Sequence, residues 1–204
     1  MSDGKPSDMN RLLCWVDVEA TGLNEHAGNI LEVGLALTTW DLVEVARWSR
    51  VVDFCGPVDA VIAAMHGPDG SGLLVLHEDG ERWHTVDAMT PWCLSPSEVE
   101  REGAAWIRSH CGDILPIWAG RNVGFDRRWL RLHMPALHEA ISHRSLDETT
   151  VRLVAQAWGG ITFERDGHRG QRHRALDDLD ESIRVARRVR DALTPLRLGG
   201  QSRV

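Results

Sequence analysis

Hydrophobic and polar positions along the first quarter of the chain predict three consecutive β-strands. Residues 11–18 begin with an apolar run, residues 29–40 are rich in aliphatic and β-branched side chains, and residues 42–52 alternate between the two classes. Trp40 and Asp41 mark a tight turn between the second strand and the third. Three strands joined by such short connections predict an antiparallel meander.

Helical features dominate the second half of the chain. Ser95 is a good N-cap, with Pro96 in the first helical position and Glu98 three residues after the cap. These features predict a helix that runs to about His110. The other predicted elements follow in order: a strand at 114–120, a helix over 123–134 that Pro135 ends, a short strand at 143–150 that leads into a helix ending near Trp158, and an amphipathic helix over 173–193.

The order of these elements predicts one α/β domain. Residues 53–90 are broken into short pieces by proline and glycine, so no element is assigned there. The rest of the chain shows three strands followed by alternating helices and strands, which predicts a mixed five-stranded sheet flanked by helices. We expect a flexible segment at 1–10, a single domain over 11–193 and a flexible tail at 194–204.

Composition and charge narrow the classes of function. The chain has 204 residues, enough for one domain, and its 43% hydrophobic and 26% charged residues are ordinary for a globular protein. No apolar run approaches the length of a membrane span, and the polar N-terminus lacks a signal-peptide core, so we expect a cytoplasmic protein with no membrane partner. The net charge of −7 argues against a grip on long duplexes, but it leaves open a nuclease whose bound cations face the phosphates.

Two carboxylates lie in an otherwise apolar strand. Because strand side chains alternate, Asp17 and Glu19 face the same side of the sheet. Like charges this close disfavour joint ionisation unless a positive charge lies between them, and a divalent cation supplies that charge. The alternative is a solvated strand end with two incidental acids.

Two later segments add acidic groups and a histidine. Asp178 lies one turn into the last predicted helix and His173 lies at or before its start, so both can project toward the end of the sheet. Asp126 lies where the chain enters the helix over 123–134. Acids at these positions also suit the helix dipole, which is the structural alternative for each of them.

Together these segments resemble the DEDDh 3′→5′ exonucleases, and within them the oligoribonuclease family. The resemblance rests on five ordered segments: DVEATGL, ILEVGLALT, GFDRRWLRLHMPAL, RSLDETTVRLVAQAW and HRALDDLDESI. It covers residues 11–52 and 113–190 and is weak across 53–112, which forms a divergent middle. The family implies a ribonuclease H-like fold.

The resemblance implies a role for each of the five motif residues. Four carboxylates would bind two divalent cations, Mg²⁺ or Mn²⁺: Asp17, Glu19, Asp126 and Asp178. His173 would act as the general base on the attacking water. Oxygen ligands suit these ions, and two ions can clamp the attacking and leaving oxygens of a phosphodiester. The products would be 5′-mononucleotides released from a 3′ end.

The resemblance also implies substrate contacts. Leu23 matches an apolar wedge against the terminal bases, with an ordinary core leucine as the alternative. Arg144 and Thr149 match positions that hold a 5′ phosphate, where arginine offers a forked contact. The sequence departs from the family at two positions, because Asn122 stands where a serine is usual and a threonine replaces serine at position 149.

Three further features are interpreted as substrate contacts. In the oligoribonuclease family a tryptophan and a histidine contact the substrate. The resemblance implies that Trp83 and His84, in the weakly matched middle of the chain, correspond to them. A base stacked on an aromatic ring gains about 1–3 kcal/mol. The loop at 164–174 carries four arginines beside His173, and we interpret it as a basic flap near the phosphates, with a solvated loop as the alternative.

The predicted function is therefore metal-dependent 3′→5′ hydrolysis of very short single-stranded RNA. The alternative within the enzyme class is a broader exonuclease on single-stranded DNA or RNA ends, as in ribonuclease T or a proofreading subunit. A nucleic-acid-binding module that lost its activity is the alternative from another class, and the presence of all five motif residues disfavours it. The family also implies a homodimer in which the partner chain completes the substrate site.

Overall fold

The computed structural model describes residues 8–86, 93–162 and 173–199, with the side chains of the final helix described as far as Thr194. Within these residues the strands are Leu13–Ala20 (β1), Ile30–Thr38 (β2), Glu44–Val52 (β3), Cys55–Gly56 (β4), Leu74–Leu76 (β5), Trp83–Thr85 (β6), Cys93–Leu94 (β7), Ile117–Gly120 (β8) and Ser145–Asp147 (β9). The helices are Ala60–His66 (α1), Pro96–Cys111 (α2), Val123–His133 (α3), Pro135–Glu139 (α4), Glu148–Gly159 (α5) and Ala175–Gly199 (α6). None of these described helices is both long and apolar enough to cross a membrane.

The main sheet has six strands in the order β7-β3-β2-β1-β8-β9. β1, β2 and β3 pair antiparallel as the predicted meander, and β8 and β9 add in parallel beside β1. The sheet is mixed as predicted, but the expectation of five strands is wrong. The additional strand is β7, which pairs in parallel with β3. A strand of two residues leaves no alternation for a sequence pattern to show.

Both margins of this sheet are short. β7 has two residues and β9 has three. The long strands lie inside: every residue of β2 is buried, and β1 is buried except for Asp17, which is half-buried. Of these strands, β2 is paired along most of its length on both sides, with β1 and with β3.

Alternation along β1 divides the core between the two faces of the sheet. Leu13 and Trp15 face α6 and pack with its buried leucine and isoleucine. The intervening side chains face the opposite way, into a larger apolar cluster with α2, α3 and α4. Because Asp17 and Glu19 continue the first set, β1 directs both carboxylates toward α6.

The middle of the chain, which the sequence left unassigned, forms a second small sheet. Its strands are ordered β4-β6-β5 and pair antiparallel. α1 lies in the same unit, and Asp59 caps it by accepting a hydrogen bond from the Ile62 amide at 2.9 Å. The unit shares an apolar cluster with Leu31 and Val51 of the main sheet. Its strands are too short to show a hydrophobic period, so no sequence pattern marks them.

Two boundaries differ from the sequence expectation. α6 continues to Gly199, into the segment expected to be a flexible tail. At the other end, Asp8–Asn10 form a 3-10 turn inside the segment expected to be flexible. The Asp8 carbonyl accepts a hydrogen bond from Trp40 Nε1 at 3.0 Å, and its carboxylate pairs with Arg144. Contacts with residues far away in sequence hold this turn, and local patterns do not reveal such contacts.

Candidate active site

Three carboxylates converge at the carboxyl end of β1. Asp17 and Glu19 point from β1 toward α6, and Asp178 lies in the first turn of α6. One carboxylate oxygen from each residue lies within 4.8 Å of the other two. Glu19 is buried, whereas Asp17 and Asp178 are half-buried. We call these three residues the acidic cradle.

Asp126 reaches the same strand from α3. Its Oδ1 accepts a hydrogen bond of 3.0 Å from the backbone amide of Val18, the residue between Asp17 and Glu19. The Asp126 side chain is buried. Asp126 therefore lies against β1 beside the acidic cradle, although its oxygens are not among the three that cluster most tightly.

Burial and mutual repulsion make these carboxyl groups hard to ionise. Burial, followed by the charges of Asp126 and Glu19, raises the pKa of Asp17 well above its ordinary value. Burial, followed by the charges of Asp178 and Glu32, raises the pKa of Glu19 to about 8. Burial also raises the pKa of Asp126 to about 8 and raises the pKa of Asp178. A divalent cation would supply the missing positive charge, and an all-carboxylate donor set suits Mg²⁺ or Mn²⁺, so the residues present fit such ions.

His173 lies immediately before α6, next to the acidic cradle. The residue is half-buried and interacts electrostatically with Asp178. Its ring meets the ring of His66 edge-on, with the centroids 6.3 Å apart. The start of α6 thus brings a histidine and a carboxylate of the H-x-x-x-x-D motif to the same place.

His66 is a residue of this site that the sequence did not reveal. It ends α1, is 1% exposed, and its Nε2 lies 3.6 Å from Glu19 Oε2. Its Nδ1 lies within hydrogen-bond distance of Ser71 Oγ, at 3.3 Å, and that oxygen also accepts a hydrogen bond from the Leu73 amide. Burial, followed by the charge of His173, lowers the pKa of His66 to about 4.

Three of the predicted substrate contacts lie at the same edge of the sheet as the acidic cradle. β1, β8 and β9 are parallel, so their carboxyl ends share this edge. Leu23 follows β1 and is 85% exposed, Asn122 follows β8, and Thr149 lies in the first turn of α5 after β9. The Leu23 loop is closed by Thr21, whose hydroxyl accepts a hydrogen bond from the Asn29 amide at 2.9 Å. Leu23 is therefore not the core leucine that was the alternative.

Arg144 lies at the other end of β9. It immediately precedes Ser145, and its guanidinium pairs with Asp8. The register pairs Ser145 with Trp118, and Trp118 with Cys14 at the amino end of β1. The strand direction therefore separates Arg144 from the acidic cradle of its own chain.

Trp83 and His84 belong to β6 of the small sheet. Trp83 packs against the apolar cluster of that unit, and the His84 ring lies 6.0 Å from the ring of His77. The histidine that this unit presents to the acidic cradle is His66. A motif does not mark His66 in the sequence, because its position depends on how α1 packs against Leu31 of β2 and Val51 of β3.

The basic loop at 164–174 is described only at its end. Arg165, Arg169 and Arg172 fall outside the described residues, so the basic flap stays a prediction. Arg174 lies against Glu32, with 2.9 Å between its Nε and the Glu32 Oε2.

Asp147 joins the two helices that begin at this edge of the sheet. Its Oδ2 accepts a hydrogen bond from the Val123 amide at the start of α3, and its Oδ1 accepts one from the Thr150 amide at the start of α5, both at 2.9 Å. A single carboxylate therefore caps the helix that carries Asp126 and the helix that carries Thr149.

Curated proteins of similar sequence are oligoribonucleases. The chain is 32% identical over 183 residues to an oligoribonuclease of Marinobacter nauticus, a match that covers 88% of this chain and 94% of that protein. It is 30% identical over 181 residues to one of Corynebacterium diphtheriae, covering 86% and 80% of the two chains. It is 28% identical over 182 residues to one of Arabidopsis thaliana, covering 87% and 76%. No protein-family model matches the chain.

Solved structures of similar fold include exonuclease I proteins. Exonuclease I from Methylocaldum szegediense gives a TM-score of 0.64 at 16% identity, over 89% of this chain and 40% of that one. An apo exonuclease I gives 0.62 at 12% identity, over 91% and 44%. This chain spans less than half of those proteins, and the likeness shows the ribonuclease H-like fold. Because identity to curated bacterial relatives reaches 30% and 32% over most of both chains, the chain belongs to the oligoribonuclease family.

Proposed function

We propose that this protein is a metal-dependent 3′→5′ exoribonuclease that degrades very short single-stranded RNA to 5′-mononucleotides. The observation that carries the proposal is the acidic cradle, whose three carboxylates offer oxygens within 4.8 Å of one another, with Asp126 bonded to the same strand. Membership of the oligoribonuclease family supports the direction of cleavage and the short substrate.

The carboxylates hold the cations in this proposal. The ligands would be the acidic cradle and Asp126, and two Mg²⁺ or Mn²⁺ ions bound there supply charge stabilisation for the attacking and leaving oxygens of the phosphodiester. The raised pKa values of Glu19 and Asp126 support this assignment, because a site built from repelling carboxyl groups gains most from a cation. These side chains would release the protons that they carry when the ions bind.

His173 is the general base in this proposal. It lies beside Asp178 and is only half-buried, so a water molecule at the acidic cradle can reach its ring. The imidazole would take a proton from that water as the oxygen attacks phosphorus and the 3′ oxygen of the preceding nucleotide leaves. His66 differs in character, because its lowered pKa keeps it neutral near pH 7. It would place an uncharged imidazole beside Glu19.

The substrate lies across the carboxyl ends of the parallel strands in this proposal. Leu23 would pack against the terminal base, and its exposed position on a closed loop supports that role. Asn122 and Thr149 would donate hydrogen bonds to phosphate, since both follow strands that end at this edge. Trp83 and His84 stay predicted contacts without support from their packing in the small sheet.

We extend the proposal to a homodimer. α5 presents an apolar face to solvent, with Leu153 53% exposed and Trp158 84% exposed. Exposed apolar patches of this kind favour association between proteins. Arg144, which pairs with Asp8 away from its own acidic cradle, would then serve the site of the partner. Light scattering tests this proposal: a dimer mass is expected for the wild type, Trp158→Glu should lower it, and a monomeric wild type would contradict it.

The substrate length is the point at which the two enzyme hypotheses differ. We expect a dinucleotide to be hydrolysed much faster than a pentanucleotide or an oligomer of about twenty residues, in RNA and in the presence of Mg²⁺ or Mn²⁺. Matched DNA oligomers test the choice of sugar. Equal rates on all lengths and both sugars would instead support the broader exonuclease on single-stranded ends.

A further inference from the structure

A buried carboxylate on β2 holds the start of α6. Glu32 is 2% exposed, and its Oε2 accepts hydrogen bonds from Arg174 Nε at 2.9 Å and from the Ala175 amide at 3.1 Å. Its Oε1 accepts a third bond, from Arg174 Nη2 at 3.0 Å. Glu32 thus forms a forked ion pair with the residue that follows His173, and it also caps the first amide of α6 from another strand.

This contact lies directly beside the acidic cradle. β2 pairs with β1, and the register places Glu32 opposite Glu19. The same register places Gly34 opposite Asp17. α6 packs closely on this part of β2, since a Cβ at Gly34 would lie 2.7 Å from the Cβ of Ala175. The start of α6 therefore rests on the two β2 positions that face the carboxylates of β1.

We propose that Glu32 and Arg174 form a positioning pair, which sets the height and rotation of α6 over the sheet so that His173 and Asp178 meet the carboxylates of β1. His173 is bonded covalently to Arg174, and the Asp178 amide donates a hydrogen bond to the Arg174 carbonyl at 3.1 Å. A displacement of Arg174 therefore moves both residues. This inference rests on the proposed function, because the geometry that it protects is that of the base and the metal ligands.

An ion pair suits this task better than an apolar contact would. A forked arginine–carboxylate contact fixes both distance and orientation, whereas apolar side chains can slide over one another. Buried ion pairs contribute little net stability compared with apolar residues of similar size, so stability alone does not explain a buried glutamate at this position. Arg174 also offsets part of the negative charge that Glu32 brings next to Glu19.

The test uses conservative variants of both partners and one matched control. Glu32→Gln keeps the shape and an acceptor for the Ala175 amide but loses the charge, while Arg174→Lys keeps the charge but loses the fork. The control is Glu102→Gln, because Glu102 pairs with Arg50 at 3.0 Å and likewise joins a main-sheet strand to a helix, away from the acidic cradle. For each full-length protein we would measure kcat and KM on a dinucleotide, Mn²⁺ affinity by calorimetry, and thermal unfolding without metal.

Both positioning variants are expected to lose about 10- to 100-fold in kcat and in Mn²⁺ affinity, as supporting residues of metal sites commonly do, with a much smaller change in KM. The double variant should be no worse than the more damaged single variant, because the two residues act as one unit. Glu102→Gln should behave as the wild type.

Two outcomes would overturn the inference. One is retention of kcat and Mn²⁺ affinity by both variants at the level of the control. The other is a loss of activity that only follows the folded fraction measured by circular dichroism. A wild type that hydrolyses no oligonucleotide with Mg²⁺ or Mn²⁺ would refute the proposed function instead, and the Mn²⁺ titrations of the variants would still test the positioning pair.

Discussion

The Oδ1 atom of Asp126 accepts a hydrogen bond from the backbone amide of Val18, and this bond joins α3 to β1 inside the candidate active site. Asp126→Asn keeps an oxygen that can accept this bond and removes the charge. We expect the Tm to be unchanged or higher, because the substitution removes a buried carboxyl group whose pKa is raised. We expect kcat to fall about 100-fold or more, because a metal ligand is lost. Thermal unfolding and Mg²⁺-dependent dinucleotide hydrolysis check both parts.

The control for that change is Asp113→Asn, which removes an exposed acid from the segment between α2 and β8. It should leave both stability and kcat at their wild-type values. Full turnover by Asp126→Asn would contradict the assignment of Asp126 as a metal ligand.

The raised pKa values predict that the metal-free protein loses stability as the pH rises. In the folded state Glu19 and Asp126 keep their protons up to about pH 8, whereas carboxyl groups of an unfolded chain lose them near pH 4. The folded state therefore binds more protons in this window, and the free energy of unfolding falls between about pH 4 and pH 8. We expect Tm in EDTA to fall across this range, and Mg²⁺ to raise Tm most above pH 8.

The variant that carries both Glu19→Gln and Asp126→Asn provides the comparison. Its Tm should depend much less on pH, and Mg²⁺ should raise it little. A wild-type Tm that increases from pH 5 to pH 8 in EDTA would show that these carboxyl groups are not held in their neutral form.

His66 is expected to support activity without titrating in the working range. His66→Ala removes the ring beside Glu19, and we expect kcat to fall about tenfold or more. Because its pKa is lowered to about 4, the shape of the pH–rate profile above about pH 6 should stay unchanged. His77→Ala is the matched control, since His77 is a half-buried histidine in the same part of the chain and its ring does not contact the acidic cradle. Equal kcat values for the two variants would remove His66 from the site.

Leu23→Ala should weaken substrate binding while leaving the fold intact. The side chain is 85% exposed, so the free energy of unfolding should change by less than about 0.5 kcal/mol. Loss of an apolar contact with a base should raise KM for a dinucleotide by roughly tenfold, equivalent to about 1.4 kcal/mol. Val43→Ala is the control, because Val43 is an aliphatic side chain that is 60% exposed near the amino end of β1. The KM of this variant should equal that of the wild type. An unchanged KM for Leu23→Ala would reject the wedge role.

The parts of the fold that the sequence could predict depend on local patterns. Apolar and β-branched content predicted β1 and β2, and alternation predicted β3. The D-x-E spacing placed Asp17 and Glu19 on one face, where their oxygens lie with that of Asp178. The capping residues at Ser95 likewise predicted α2, and the Glu98 carboxylate accepts a hydrogen bond from the Ser95 amide at 3.0 Å. In each case the residues that carry the sequence pattern lie within, or directly next to, the element that the pattern predicts.

The parts that the sequence could not predict depend on contacts between distant segments. His66 reaches Glu19 because the small sheet and α1 pack against β2 and β3, which brings the end of α1 beside the acidic cradle. Arg174 was interpreted as part of a phosphate-facing flap, but its guanidinium is bound to Glu32, far away in sequence. Arg144 has its partner Asp8 in a segment that was expected to be flexible. Charge and residue type alone did not distinguish a ligand-binding arginine from one with a partner inside the protein.

The short strands at both margins of the main sheet have a consequence for how the protein behaves in concentrated solution. A foreign strand that pairs with β7 or β9 gains only a few backbone hydrogen bonds, since these strands have two and three residues. Addition of a strand to β7 or β9 is therefore disfavoured, and the long aliphatic segment of β2 is shielded between β1 and β3. Side chains on helix surfaces, such as Leu153 and Trp158 of α5, offer a contact between copies that needs no strand pairing.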